Sequence, residues 1–146
     1  MDKTNNTNKT DKTNKTDKIL SYINKKWESG ATGPDKYDCQ GLVVDIQKKI
    51  YDKTMPDVKL NSDSLLSVVK AISKNKVWEQ FKKIDHPEDG CIVKMFTADN
   101  PNHIGVYIDV DGGGVIHSLR NVGVVWDQIF ILRKTFSQVE FWRFIG

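Results

Sequence analysis

Apolar residues recur every three or four positions in the first half of the chain and alternate with polar residues in much of the second half. Near the N-terminus, Ile19, Leu20, Ile23 and Trp27 have the spacing of one helix face. This pattern predicts a first helix that begins near Lys18. Gly30, Gly33 and Pro34 follow it and predict a loop.

Two further helices are predicted from the same periodicity. One begins directly after Asp38, which is a favourable N-cap residue. The other covers residues 62–76, with Ser62 or Asp63 as its N-cap. The inward faces are formed by Cys39, Leu42, Val43, Ile46 and Ile50 in the former helix, and by Leu65, Leu66, Val69 and Ile72 in the latter.

The pattern changes after residue 76. Residues 77–84 are ambiguous between strand and helix, and residues 86–90 form a predicted turn. Five runs rich in β-branched and aromatic residues then predict strands: CIVKMF, HIGVYIDV, GVIHSL, VGVVWDQI and VEFWRF. The sequence DGGG at 111–114 predicts a hairpin between the second and third runs. Helices followed by an antiparallel sheet of about five to six strands indicate an α+β fold.

The first 18 residues differ in composition from the rest. After Met1 they consist of Asp, Lys, Thr and Asn, with no apolar residue to offset the entropy of ordering. We therefore expect a disordered tail over 1–18 and a single domain over 19–146, because 146 residues suit one domain.

Charge and hydropathy exclude several functions. The net charge is +3, and five lysines and three aspartates in the first 18 residues leave the domain nearly neutral, which argues against nucleic-acid binding. No apolar run approaches the ~20 residues of a membrane span, so no membrane insertion is expected. The N-terminus does not resemble a secretory signal. We expect synthesis in the cytoplasm, with export by a holin-like route, by lysis or by assembly into a particle.

Cys39 is the first candidate for chemistry. A cysteine in the first turn of a helix lies where unpaired N–H groups and the helix dipole favour an anion. This position predicts a lowered thiol pKa and a reactive nucleophile. The alternative is a small buried cysteine, because Cys39 also lies on the apolar stripe.

A cysteine nucleophile requires a base. His103 and His117 lie on strands that the predicted hairpin places side by side, so one ring could be the base and the other could orient it. The spacing does not settle whether the two rings share a face, and two unrelated half-buried histidines are the alternative. His86 belongs to the turn and is expected to be exposed.

Metal and nucleotide sites have weaker support. Cys39, Cys91, His86, His103 and His117 could ligate zinc, but none has the spacing of a known zinc motif. Cys91 opens a strand and is expected to be a small core residue. The glycines at 112–114 lack the Lys-Ser/Thr of a phosphate loop. No metal or cofactor is expected.

Four segments resemble one known family. The stretch YDCQGLV, from Tyr37, is similar to the nucleophile motif of the NlpC/p60 cysteine peptidases. PEDGCIVKM, NHIGVYID and GGGVIHSL are similar to the segments that follow in that family, in the same order. The resemblance extends from about Ile19 to the C-terminus.

This resemblance implies a papain-like fold, with the cysteine helix packed on a C-terminal antiparallel sheet. It implies hydrolysis of peptidoglycan stem peptides at a D-glutamyl–diaminopimelate or D-glutamyl–lysine bond. Cys39 would be the nucleophile, with its backbone N–H in the oxyanion hole, His103 the general base and His117 the residue that orients His103. Tyr37, Asp38 and Gln40 would lie at the substrate.

Two residues depart from the family pattern. Gln40 replaces the usual Ser or Trp, and Cys91 replaces an Asp that is not catalytic. The C-terminal segments VIHS, GVV and FWR resemble the phage tail-associated branch. That similarity implies location in a virion tail, action on the bacterial cell wall, and other phage tail proteins as partners. The alternatives are an idle structural or wall-binding module, and a lipid acyltransferase, for which no exposed apolar stretch is evident.

Overall fold

The computed structural model describes residues 14–55 and 76–146. The predicted third helix lies almost entirely outside this part of the chain, as do the first 13 residues. Three α-helices are described: α1 at 14–22, α2 at Cys39–Tyr51 and α3 at Ile129–Thr135. A 3₁₀-helix at Lys76–Gln80 precedes six strands. The strands are β1 at Phe81–Ile84, β2 at Ile92–Thr97, β3 at Asn100–Ile108, β4 at Gly114–Leu119, β5 at Gly123–Asp127 and β6 at Gln138–Phe144.

The six strands form a single antiparallel sheet in the order β1-β6-β2-β3-β4-β5. The predicted α+β class is confirmed, and all five predicted strand runs are strands. The ambiguous segment at 77–84 divides into the end of the 3₁₀-helix and the edge strand β1. The predicted hairpin joins β3 to β4, and Asp111, Gly112 and Gly113 all have the positive φ that a tight turn requires.

Helix α2 packs against β3 and β4 with the face that the periodicity predicted. Leu42 and Ile46 are fully buried, and they share a core with Val106 of β3 and Ile116 of β4. The side chain of Gln47 is buried with them, and its Nε2 donates to the carbonyl oxygen of Gly90 at 2.8 Å. Burial of this apolar face supplies most of the stabilisation that fixes α2 on the sheet.

The first helix differs from its prediction at both ends. Residues 14–18, inside the segment predicted to be disordered, are helical, and Lys18 Nζ donates to the Lys49 carbonyl of α2. The helix ends at residue 22 because the following backbone instead pairs with β5, through Asn24 and Val124. Leu20 is 64% exposed and does not belong to the buried face as predicted. Tertiary contacts, which local periodicity does not report, set these limits.

The opposite face of the sheet packs on α3. Its core contains Met95 of β2, Phe141 of β6 and Leu132 of α3. Helix α3 was not predicted, because Leu132 is its one buried residue while Phe130 and Ile131 are exposed. A seven-residue helix with one inward residue carries no amphipathic stripe. Within the described ranges, no helix is long and apolar enough to cross a bilayer.

The sheet also buries a charged residue, Lys94 of β2. Its ammonium group lies 3.8 Å from the ring centroid of Trp78 and 4.1 Å from that of Trp142. Burial lowers the pKa of Lys94 to about 8, while the faces of the two rings favour the cation. Burial and the two ring contacts therefore act in opposite directions on the pKa of this amine.

Gly41 marks the closest approach between α2 and the loop that precedes it. A Cβ atom at this position would overlap the backbone carbonyl oxygen of Ala31. Helix propensity alone would make Gly41→Ala stabilising by about 1 kcal/mol. We instead expect the substitution to lower the free energy of unfolding by about 2 kcal/mol, because the helix must move away from a backbone atom that cannot yield. Urea denaturation of both proteins measures the difference.

Lys48→Ala is the matched control, since Lys48 is exposed on the same helix. Its unfolding free energy should remain within about 0.5 kcal/mol of the wild-type value. A Gly41→Ala protein as stable as this control contradicts the predicted overlap.

Candidate active site

Cys39 is the first residue of α2, and Asp38 fixes the backbone on which it sits. One carboxylate oxygen of Asp38 accepts from the N–H of Gly41 at 2.6 Å, as an N-cap does. The other accepts from the N–H of Gly30 at 3.0 Å. The carboxylate thus joins the preceding loop to the first turn of the helix, and this confirms Asp38 as the N-cap.

The sulfur of Cys39 experiences opposing electrostatic effects. The backbone N–H groups of Ile104, Gln40 and Cys39 itself lower its pKa. Burial and the neighbouring Asp38 carboxylate outweigh them and raise the pKa of Cys39 to about 12. The prediction of a lowered pKa was therefore wrong for this conformation, because the residue that caps the helix is itself an anion and the thiol is only 6% exposed.

His103 and His117 are brought together as the hairpin predicted. The Nε2 atom of His103 lies 2.8 Å from the Nδ1 atom of His117, a hydrogen-bond distance, and the rings are nearly perpendicular. Gly105 of β3 lies beside His117 of β4, and a Cβ at Gly105 would be 2.9 Å from the Cβ of His117. The two rings therefore share one face of the sheet, which the sequence left open.

Strand β3 contains an irregularity immediately before His103. His103 pairs with Met95 of β2, whereas Pro101 pairs with the next residue, Phe96, so Asn102 is an extra residue in β3. Its side-chain amide donates to Thr97 Oγ1 at 3.0 Å. Such a bulge turns the residues beside it relative to a regular strand. From His103 onward β3 alternates regularly, so the side chain of His103 lies on the same face as Tyr107 and opposite to Ile104.

Both histidines are buried, and burial lowers the pKa of each. For His103 the proximity of His117 lowers the pKa further, whereas for His117 the hydrogen bond to Asp127 opposes the lowering. The ring of Phe136, just after α3, stacks on His103 at a centroid distance of 5.8 Å. Burial thus favours the neutral form of both rings, which is the form that a general base requires.

Ser118 joins β4, the strand that carries His117, to the residues that precede Cys39. Its hydroxyl donates to the carbonyl oxygen of Tyr37 at 2.8 Å. The sulfur of Cys39 also faces the N–H of Ile104, the residue that follows His103. Within the described ranges, no hydrogen bond joins the thiol of Cys39 to the ring of His103. The thiol of Cys39 therefore lies beside β3, but it is not hydrogen bonded to the ring of His103.

Three residues were predicted to contact substrate, and the structure separates them. Tyr37 is 2% exposed and its hydroxyl donates to Asp45 at 2.7 Å, so it is a core residue. Asp38 is buried and engaged by the backbone, as described above. Their predicted substrate contacts are not supported by this geometry. Gln40 is partly exposed, and its Oε1 atom has no hydrogen-bond partner among the described residues.

Sequence reasoning missed Asp127. Its Oδ2 atom lies 2.8 Å from the Nε2 atom of His117, on the side of that ring opposite His103. Asp127 ends β5, and its strand register places it two residues along from the partner of His117. The one available signal was a carboxylate at the end of a strand next to VIHSL.

The remaining candidates lie apart from this cluster. His86 is exposed in its turn and Cys91 is buried in the core beneath α3, as predicted for both. Across residues 14–55 and 76–146, no three His, Cys, Asp or Glu side chains form a group that could hold a metal ion.

Comparison with known proteins gives the same family as the sequence motifs. The family model described as the NlpC/P60 family matches residues 24–143. Among solved structures, the NlpC/p60 domain of the peptidoglycan hydrolase SagA is similar, with a TM-score of 0.52 and 14% sequence identity. The alignment covers 80% of this chain and 87% of that one. At this identity the similarity concerns the fold. A comparison with curated proteins gave no match.

The raised thiol pKa predicts how Cys39 reacts in the free protein. Alkylation requires the thiolate. We therefore expect iodoacetamide to label Cys39 slowly at pH 7, with a rate that rises roughly tenfold per pH unit between pH 8 and 10. Cys91, whose pKa burial raises to about 11, should behave similarly. Mass spectrometry of the digested protein resolves the two sites.

Protein unfolded in urea is the control, since both cysteines should then label at the rate of an ordinary thiol with pKa of about 8.5. Fast labelling of Cys39 that does not change between pH 5 and pH 8 contradicts the prediction. That outcome means that a thiolate is paired with a protonated His103 in solution.

Proposed function

The chain belongs to the NlpC/P60 family, and from this premise we propose that it is a cysteine peptidase that hydrolyses peptide bonds in the stem peptides of bacterial peptidoglycan. The observation that carries the proposal is the hydrogen-bonded pair of His103 on β3 and His117 on β4, together with a cysteine at the N-terminus of the helix packed on these strands. The order of nucleophile, base and orienting residue is that of the family, and the sulfur of Cys39 faces the N–H of Ile104, which follows His103; both observations support the proposal.

The proposed reaction needs no metal or cofactor. Cys39 transfers its thiol proton to His103, and the sulfur attacks the carbonyl carbon of the scissile amide. The C–N bond breaks, and the leaving amine takes the proton from His103. Water then attacks the thioester, with His103 again as the base, and releases the carboxylate and the free thiol.

The helix terminus supplies the electrostatic part of this mechanism. The backbone N–H of Cys39 lies close enough to the sulfur to lower its pKa. The oxygen that becomes negative in the tetrahedral intermediate forms next to that sulfur. The N–H is therefore our candidate for the oxyanion hole, where a donor at a helix N-terminus is effective.

We assign a substrate contact to Gln40. Its Oε1 atom is buried and without a partner among the described residues, although a buried acceptor normally has one. Gln40 is adjacent to the nucleophile. An N–H of the stem peptide would satisfy this oxygen and orient the scissile bond. The bond proposed is D-glutamyl–diaminopimelate or D-glutamyl–lysine, from the sequence resemblance.

A second candidate function is an idle structural or wall-binding module of the same fold. One observation favours it: the thiol of Cys39 is buried and is not hydrogen bonded to His103. Catalytic hydrogen bonds in free enzymes are often long and shorten when substrate binds. The peptidase therefore remains our first proposal, and a direct assay distinguishes the two.

Incubation of the purified protein with muropeptides should yield shortened stem peptides, detected by mass spectrometry. Cys39→Ala removes the nucleophile and should reduce the cleavage rate by at least about 10³-fold. An intact wild-type protein that releases no product favours the idle module. Full activity of the Cys39→Ala protein contradicts the mechanism.

Cys91→Ala is the matched control, because it removes the other cysteine, which lies in the core on the face of the sheet opposite α2. It should keep most of the wild-type rate. Gln40→Met tests the substrate contact in the same assay. Loss of one hydrogen bond should raise KM about fivefold to tenfold with a smaller change in kcat.

The location is the finer part of the proposal. The segments that resemble the phage tail-associated branch lie on β4, β5 and β6. We propose that the protein is a virion tail component that acts on the cell wall alongside other tail proteins. Mass spectrometry of tail particles purified from producing cells should detect it. Its consistent absence from particles that contain the other tail proteins contradicts this location.

A further inference from the structure

Asp127 has no role in the mechanism described so far, yet it completes a row of side chains. His103, His117 and Asp127 lie on the neighbouring strands β3, β4 and β5. Each of the two contacts in the row measures 2.8 Å between heavy atoms. Both rings are more than nine-tenths buried, whereas the side chain of Asp127 is 31% exposed. The row therefore leads from the buried site to the surface.

The sheet register gives this row its geometry. Val115 of β4 pairs with Asp127, and His117 pairs with Val125. His117 and Asp127 are thus diagonal neighbours on one face of the sheet, within reach of long side chains. The contact follows from backbone pairing rather than from a mobile surface side chain.

The chemistry of the row determines where its protons lie. A carboxylate can only accept hydrogen bonds, so the Nε2 atom of His117 must carry a hydrogen. A neutral His117 then has an unprotonated Nδ1 atom, which can only accept. The Nε2 atom of His103 must therefore donate to it. A neutral His103 with hydrogen on Nε2 has its lone pair on Nδ1.

We propose that Asp127 is a positioning residue that fixes both histidines in one tautomer and leaves Nδ1 of His103 as the basic nitrogen. This inference rests on the proposed function, since a basic Nδ1 matters for catalysis only if Cys39 is the nucleophile. Without Asp127, His117 could donate from Nδ1 instead. His103 would then carry its proton on Nδ1, where it could not accept one from Cys39.

Asp127 also has an electrostatic role in this arrangement. When His103 takes the thiol proton, the row of neutral rings acquires a positive charge in a buried site. The groups that act on the pKa of these rings among the described residues are Asp127 on His117 and His117 on His103. Asp127 supplies the negative charge in the row, and it stabilises the imidazolium through His117.

The tautomers can be measured by long-range ¹H–¹⁵N NMR of protein labelled with ¹⁵N-histidine, without any substrate. In the wild-type protein, His103 and His117 should both be protonated at Nε2 and unprotonated at Nδ1. In Asp127→Ala, a population of His103 protonated at Nδ1 should appear. The kcat for muropeptide cleavage should fall roughly 10²-fold, within the range of general acid–base effects, with little change in KM.

Two further variants distinguish an effect on the histidine tautomers from an effect on folding. Asp127→Asn keeps the shape of the side chain, but its amide can donate or accept, so both tautomers of His103 should become detectable. Asp127→Glu keeps the acceptor and should restore part of the wild-type kcat. Asp109→Ala, an aspartate exposed just after β3, should leave tautomers and kcat unchanged.

His103 protonated at Nδ1 in the wild-type protein overturns the assignment, as do unchanged tautomers and kcat in both Asp127→Ala and Asp127→Asn. If the wild-type protein has the assigned tautomers but cleaves no muropeptide, the result supports the role of Asp127 in fixing the tautomers and contradicts the proposed function. The two failures are therefore distinguishable.

Discussion

The candidate site depends on one carboxylate, that of Asp38, which holds the start of α2 against the loop before it. Its two oxygens accept from Gly41 and Gly30, and the first turn of α2 and the loop are thereby joined at a single point. Ser118 of β4 adds a hydrogen bond to the carbonyl oxygen of Tyr37. Cys39 is thus placed by backbone contacts on both sides. The absence of a side chain at Gly41 allows the close approach.

The same packing raises the pKa of the Cys39 thiol. N–H groups at the helix terminus favour a thiolate, but burial and the Asp38 carboxylate oppose it and prevail. The histidines are buried and neutral for a related reason. In the proposed mechanism, transfer of the thiol proton to His103 would separate charge in a region of low dielectric constant. The backbone donors at Cys39 and the carboxylate of Asp127 lie at opposite ends of that separation, and under the proposal they would stabilise the thiolate and the imidazolium.

Much of the fold could be predicted from the sequence because the elements involved bury a regular face. Helix α2 has a clear apolar stripe, and the strands are rich in β-branched and aromatic residues. Predictions were inaccurate where burial is sparse or non-local. Helix α3 buries only Leu132, and α1 ends where its chain pairs with β5 rather than where its apolar spacing ends. Tyr37 was assigned to the substrate by its place in a motif, whereas its hydroxyl is bound by Asp45 in the core.

The sequence by itself determined the fold class, the helix that carries Cys39, and the hairpin that makes His103 and His117 neighbours. These follow from periodicity and turn chemistry, which are local properties. Only the tertiary structure decided that the two rings share a face, because the register between β3 and β4, which depends on the turn length, sets that direction. It also reversed the expected pKa shift of Cys39 and brought Asp127 to His117. Burial and cross-strand register depend on residues distant in sequence, so no local pattern contains them.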